Sequence, residues 1–355
     1  MMFDSMRIQN FRGIKDLSLA GFKQINLFVG DNAIGKTTVL DALYIGINPN
    51  NPELMFRTNV FRKMDSLKIN NPNDDFWSTF FYQFDVNNTI QLDFEGKVNR
   101  EIEISPLRST MIQNYIAVSE NRTPNTTNDA DPVIGLNFNF KVRDSSYSSR
   151  FFQKSNEVPQ QLPDISFVED LKGIYLNHNT FTVHNLFFNF DNIVNSKNKK
   201  KLIHYLKTIE PTIEDVNRIE TSIKIDDSRF SKAVDICTYG DGFFKSFYVI
   251  SSILAHDAQY ICLFDEIENG LYYSKQALVW KSMVSLLKQI PNEQVFVATH
   301  SREMITQLFL IAQKMDYLDK ISLYRIEKNK QSDLQVFRYS ASQFQYAMQE
   351  NIEIR

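Results

Sequence analysis

Residues 24–38, Gln24-Ile25-Asn26-Leu27-Phe28-Val29-Gly30-Asp31-Asn32-Ala33-Ile34-Gly35-Lys36-Thr37-Thr38, decide how this chain is read. Gln24–Val29 is a short apolar run closed by glycine, the pattern of a buried strand. Gly30 to Thr37 then fits G-x-x-x-x-G-K-T, and Lys36–Ile47 reads as a helix with Val39, Leu40, Leu43 and Ile47 on one face. Strand, glycine loop and helix together make a phosphate-binding loop. Gly30 and Gly35 let the backbone curl into conformations a side chain would forbid. The curled amides form an anion nest, and the free N–H groups of the helix start face the same point. Lys36 neutralises β- and γ-phosphate oxygens, and the Thr37 hydroxyl coordinates Mg²⁺. Gly30, Asn32, Ala33, Ile34, Gly35, Lys36, Thr37 and Thr38 are therefore the candidate ATP-binding residues. The competing reading is a glycine turn that merely caps a helix.

Two further apolar runs end in groups that suit this chemistry. Tyr260–Phe264 is followed by Asp265 and Glu266, and carboxylates at the carboxyl end of a buried parallel strand lie at the crevice where ligands bind. Asp265 is expected to hold Mg²⁺, and Glu266 to polarise the attacking water as general base. Gln294–Ala298 leads into Thr299, His300 and Ser301. His300 at a strand end suits a γ-phosphate sensor, although a lone histidine is commonly a surface or satisfied core residue. The remaining histidines have no metal-like spacing with the cysteines.

The chain has 355 residues, 43% hydrophobic and 23% charged, with 39 Lys and Arg against 42 Asp and Glu. Ordinary hydrophobicity and a net charge of −3 exclude general disorder and a dedicated electrostatic nucleic-acid coat. Two cysteines, Cys237 and Cys262, exclude a disulfide scaffold. No run reaches the ~20 apolar residues of a membrane span, and the start lacks an apolar signal region. A cytoplasmic protein is expected.

Outward from the loop, residues 6–29 read as two short strands. Thr89–Phe94, Glu101–Ile104 and Leu136–Val142 alternate apolar and polar residues, the period of half-exposed strands. Residues 49–164 are therefore expected to be β-rich, with a mobile loop near 120–131. Residues 165–220 read as helical: Leu202, Tyr205 and Leu206 share a face, and Ile209, Ile213 and Val216 extend the pattern past Pro211. Lys197 and Lys199–Lys201 read as a solvated helix start or as a contact with a phosphate backbone; four charges are a small footprint for the second. From 221 onward helices and strands alternate, which predicts a mainly parallel sheet. The expected division is an ATPase core of 1–48 and 221–355, a β-rich insert at 49–164 and a helical insertion at 165–220.

Taken together, the phosphate loop, Asp265–Leu271 (DEIENGL) and Ala298–Ser301 (ATHS) resemble the ABC-type ATPases of the branch containing RecF, SMC and the OLD proteins. The similarity is nearest to stand-alone AAA-family ATPases of bacterial defence islands. Asn10–Leu19 (NFRGIKDLSL) and Asn351–Arg355 (NIEIR) resemble the same group. The resemblance implies an α/β fold: an ABC-type P-loop ATPase head with a mainly parallel core sheet, an antiparallel β subdomain and a helical insertion. It implies a signature loop that caps a partner subunit's nucleotide, for which Gly240, Asp241 and Gly242 are the candidates; a plain glycine turn before a helix is the other reading. Gly240 stands where ABC proteins carry serine. Gln83 is the candidate for the γ-phosphate-sensing glutamine. Only 55 residues (301–355) follow His300, and no Glu with paired Asp appears in them, so the nuclease domain of OLD proteins is expected to be absent. The implied function is an ATPase switch that forms a homodimer or higher homo-oligomer around ATP and Mg²⁺ and controls a separate effector protein in anti-phage defence, with nucleic acid as a further candidate partner and no membrane. The rivals are a RecF-like DNA-binding repair ATPase and a nucleotide-stabilised scaffold with little hydrolysis.

Overall fold

The computed structural model describes residues 2–62, 74–111, 131–153, 159–177, 180, 183–256, 260–331, 333–350 and 352–354. Three strands open the chain, one more than the sequence reading expects. β1 (Phe3–Phe11) and β2 (Ile14–Ala20) form a hairpin, and β3 (Ile25–Val29) is buried at every position. β2 escapes the sequence reading because Lys15, Asp16 and Ser18, on its exposed face, give it the polarity of a loop. The phosphate loop runs directly into α1 (Lys36–Ile47), as expected. Then comes α2 (Glu53–Phe61), a helix inside the segment read as β-rich. Its signal is short: an Arg57–Glu53 pair one turn apart at 3.1 Å.

β1 and β2 join β4 (Ile90–Gly96), β5 (Arg100–Arg108), β6 (Val133–Val142), β7 (Ser145–Phe152) and β8 (Gln160–Leu162) in an antiparallel sheet of order β2-β1-β4-β5-β6-β7-β8. β1 and β2 therefore lie in the antiparallel sheet, and β3 lies in the core sheet. Alternation shows that a strand is half-buried but not which strand it pairs with. Residues 120–130 of the expected loop lie outside the described residues.

The segment 165–220 also differs from its reading. It begins with β9 (Lys172–Leu176), a strand of the core sheet, before α3 (Val183–Asn195) and α4 (Lys199–Ile209). Ile213 and Val216 lie on β10 (Ile213–Ile219), which pairs with β11 (Ser222–Asp227), itself paired on its other edge with β12 (Val234–Asp235), in a small antiparallel sheet. A period-3 spacing of two residues after a proline is equally met by a strand with a bulge, and the register shifts between Ile213 and Asp215. The lysine cluster opens α4, with Lys199 on Asp215 at 2.9 Å, so it is a helix start.

The remainder alternates: α5 (Asp241–Leu254), β13 (Tyr260–Asp265), α6 (Tyr273–Gln289), β14 (Gln294–Ala298), α7 (Arg302–Lys314), β15 (Ile321–Lys328), β16 (Leu334–Tyr339) and α8 (Ala341–Gln349). The core sheet has the order β16-β15-β3-β14-β13-β9, parallel except for the edge strand β16. α1 lies between the two sheets, where Val39, Leu40 and Leu43 pack with Phe94 of one and Leu263 of the other. The opposite face of the core sheet is covered by α3 to α7. No helix among the described residues is long and apolar enough to cross a membrane.

Candidate functional site

Three neighbouring strands, β3, β14 and β13, end at the same pole of the core sheet and deliver the phosphate loop, His300 and the Asp265–Glu266 pair to one place. Parallel order causes this convergence: each strand presents its carboxyl end to the same side, and its helix returns on the other. The loop has the curl its glycines permit. Gly30 has φ 143°, and a Cβ there would stand 2.3 Å from the Ile326 carbonyl oxygen. Gly35 has φ 102° and caps α1 without a side-chain bond, which leaves the first amides of the helix free for an anion.

A cavity of about 570 Å³ opens over the loop. Asn32, Ala33, Ile34, Gly35, Lys36, Thr37 and Thr38 line it, with Glu266. Lys36 is buried in the loop, its Nζ donating to the carbonyls of Gly30 and Asp31 at 2.8 Å each. Burial pulls its pKa down, against the pull of Glu266 and Asp265. The Thr37 hydroxyl donates to Asp265 Oδ2 at 2.9 Å. Burial pushes the Asp265 carboxyl up to about 7, with Glu266 and Asp41 adding to the push and Thr37 opposing it. That is what a carboxylate looks like when its site suits a cation: two hard oxygens side by side, one of them carrying a charge it cannot solvate. The residues present therefore fit a Mg²⁺ ion that Thr37 and Asp265 would hold. Among the described residues no group of three or more His, Cys, Asp or Glu side chains is placed to hold a metal by itself.

Glu266 accepts from His300 Nδ1 at Oε1, 3.1 Å, and from Asn269 Nδ2 at Oε2, 2.9 Å. Glu266 and Ala33 both have positive φ, 51° and 59°. Arg12, Gln83 and Phe84 do as well, so half of the ten non-glycine residues in this conformation among the described residues line this one cavity. Such backbone costs about 1–3 kcal/mol each and collects where function requires it.

Of the cavity's second wall, sequence reasoning names only Gln83 and misses the two arginines. Arg12, at the β1–β2 turn, is held by Asn59 Oδ1 at 2.9 Å and Thr58 Oγ1 at 2.5 Å, with Asp41 at 3.4 Å; burial lowers its pKa to about 10. Arg62 pairs with the same Asp41 at 2.7 Å. Two cations beside a phosphate loop are an electrostatic match for a polyphosphate. Their only sequence trace is Arg12 before a glycine in a hairpin turn. Gln83 sits in this wall, in the turn Tyr82–Phe84. Gly240, Asp241 and Gly242 do not line the cavity. They open α5, with Gly240 at φ 81°, and pack beside Gly270.

Residues 25–305 match the family model described as "AAA domain, putative AbiEii toxin, Type IV TA system". Over 356 aligned residues, 93% of this chain and 94% of the relative, the sequence is 24% identical to a Helicobacter pylori (strain ATCC 700392 / 26695) protein named "ATP/GTP phosphatase". An 83-residue stretch, 19% of this chain, is 35% identical to 23% of the DNA replication and repair protein RecF of Clostridium kluyveri. Among solved structures, an SMC head bound to the C-terminal winged-helix domain of ScpA superposes with a TM-score of 0.54 at 12% identity, covering 96% of this chain and 98% of that one. The fold is accordingly that of an ABC-type ATPase head, as the sequence motifs imply.

Proposed function

Since the chain belongs to that AAA-domain family, we propose that it is an ATP-hydrolysing switch whose cycle is run by the cavity over residues 30–38. One observation carries the reading. The Thr37–Asp265 oxygen pair and the Glu266–His300 pair meet at one pole of the core sheet, and Thr37 and Glu266 both line the cavity over the phosphate loop. Thr37 and Asp265 are the residues that would hold Mg²⁺ beside the phosphates. That ion would spread the developing negative charge. Lys36 would leave the carbonyls of Gly30 and Asp31 for the phosphates, whose charge is the stronger partner. Glu266 takes a proton from the attacking water, and His300 holds the carboxylate in line. The nearly full-length relation to a protein named as an ATP/GTP phosphatase supports hydrolysis.

A second copy completes the site in this reading. The amides at Gly240–Gly242 lie at the start of a 14-residue helix and outside their own chain's cavity, so their phosphate would belong to a partner. ATP then favours the closed dimer and hydrolysis the open one. The motif wording of Asp265–Leu271 and Ala298–Ser301 extends the proposal to a sensor in bacterial anti-phage defence that controls a separately encoded effector. Steady-state phosphate release by Lys36→Ala and Glu266→Gln tests the chemistry: both should fall by roughly 100-fold or more, and unchanged turnover in both overturns the assignment. The solution mass of Glu266→Gln with and without ATP–Mg²⁺ tests the dimer: mass should double with nucleotide.

The short RecF similarity favours a second reading, a DNA-clamping ATPase. The outward face of the antiparallel sheet carries Asp93, Glu95, Glu101 and Glu103, which repel a phosphate backbone. ATP-dependent duplex binding that weakens steeply with salt would establish that reading over the first.

A further inference from the structure

The turn that follows Glu266 holds two polar side chains that the reading above does not use. Residues 266–271 fold back on themselves: the Asn269 amide donates to the Glu266 carbonyl at 3.2 Å and that of Leu271 to Glu268 at 2.8 Å. Asn269 is exposed, yet its side chain is committed to Glu266 Oε2 at 2.9 Å. Glu268 points the other way. It is buried, 6% exposed, and its Oε1 accepts the Thr299 hydroxyl. Its Oε2 has no hydrogen-bond partner among the described residues. A buried carboxylate with one oxygen unmet is costly, and a structure retains it where something else is gained. Thr299 Oγ1 in turn accepts the Ser301 amide at 3.0 Å, which closes the backbone around His300.

From this geometry we propose that Asn269 and Glu268 are positioning residues for the Glu266–His300 pair. The proposal rests on the ATPase reading above. Glu266 needs such help. Its side chain is 39% exposed and rises from a left-handed backbone, so without donors it would sample several rotamers. Asn269 fixes one oxygen and His300 the other, which leaves the carboxylate plane a single orientation. Glu268 acts one step back, by setting the Thr299–Ser301 loop that carries His300. The same turn is tied to the start of α5. Lys245 Nζ donates to the Asn269 carbonyl, and a Cβ at Gly242 would stand 3.0 Å from the Gly270 carbonyl oxygen. Movement of residues 240–245 would therefore be felt at Asn269.

The test is a set of variants read by kcat, by nucleotide Kd and by thermal melting. Asn269→Ala should lower kcat roughly 10-fold with Kd within about two-fold of the parent, because only orientation in the reacting complex is lost. Asn269→Asp distinguishes the role from a turn-shaping one. Aspartate keeps the shape and the turn propensity but replaces the donor with a repelling charge, so it should be at least as damaging as alanine. Glu268→Ala should also lower kcat, and Glu268→Gln, which keeps an acceptor for Thr299, should regain most of that loss. Asn269 is exposed, so its variants report even where a Glu268 variant fails to fold. If Asn269→Asp matches the parent, or if both Asn269 variants turn over normally while Glu266→Gln is dead, the positioning role is overturned and the ATPase reading stands. Unchanged turnover in both Glu266→Gln and Lys36→Ala overturns the ATPase reading itself.

Discussion

The two poles of the core sheet handle buried charge in opposite ways. At the carboxyl pole Asp265 ends β13, held by one hydroxyl, its carboxyl pushed up to about 7 by burial. At the amino pole Glu293 precedes β14, 2% exposed, with neither oxygen hydrogen-bonded among the described residues, and burial pushes it up to about 8. Helix α1 runs between the poles. Its first turn has no side-chain cap, whereas its last carbonyls, of Gly46 and Ile47, accept from the wholly buried Arg100 at 2.9 and 2.6 Å. Arg100 is itself balanced by Glu169 at 2.8 Å and by Asp170. The comparison teaches that a raised carboxyl is not by itself a site. Around Asp265 the strained backbone, free amides and lysine converge on one place; around Glu293 no such groups converge among the described residues.

The largest effect that would break this contrast lies in activity. Asp265→Asn should reduce Mg²⁺-dependent ATP turnover by roughly 10²–10⁴-fold, whereas Glu293→Gln should leave it unchanged. A catalytic defect in Glu293→Gln would make the amino pole part of the site. Next comes stability. Arg100→Ala strips the cap from α1 and leaves Glu169 and Asp170 facing a buried vacancy, so the urea midpoint should correspond to a loss of about 3–5 kcal/mol. A loss below about 1 kcal/mol would mean the amino pole is not where α1 is anchored.

A pH series sharpens the comparison further. Both carboxyls bind protons more tightly folded than unfolded. Their contribution therefore favours folding below the unfolded value near 4 and is lost as pH rises, to about 7 for Asp265 and to about 8 for Glu293. Glu293→Gln should raise the melting temperature relative to the parent more at pH 8 than at pH 5. The smallest effect is the most diagnostic. Adding Mg²⁺ and ATP should flatten the Asp265 part of this dependence, because a bound cation favours the charged carboxylate, and should leave the Glu293 part unchanged.

Much of the carboxyl pole was legible in the sequence for a physical reason. A phosphate nest, its lysine and the start of its helix lie within nine consecutive residues, so local pattern contains the whole device. Asp265, Glu266 and His300 were legible because each follows an apolar run, and parallel strands send their ends to one side. Arg12, Arg62 and Asn269 were not. Arg12 and Arg62 reach the site from other elements, and their partners Asn59 and Asp41 are remote in sequence. Asn269 looks like an ordinary turn residue until its amide is seen against Glu266. The same limit explains the strands. Alternation identified β4, β5 and β6, but β1 and β2 joined the antiparallel sheet and β9 the core sheet, because pairing depends on what lies alongside.

By itself, then, the sequence determined where the glycine loop and its lysine lie and which carboxylates and histidine follow the core strands, since those features depend on neighbours along the chain. Tertiary structure alone decided that Arg12 and Arg62 share that cavity with Gln83, that Gly240–Gly242 stand outside it, and that Glu293 is buried with neither oxygen hydrogen-bonded among the described residues. Those outcomes depend on contacts between residues far apart in the chain, where local pattern holds no information about distance.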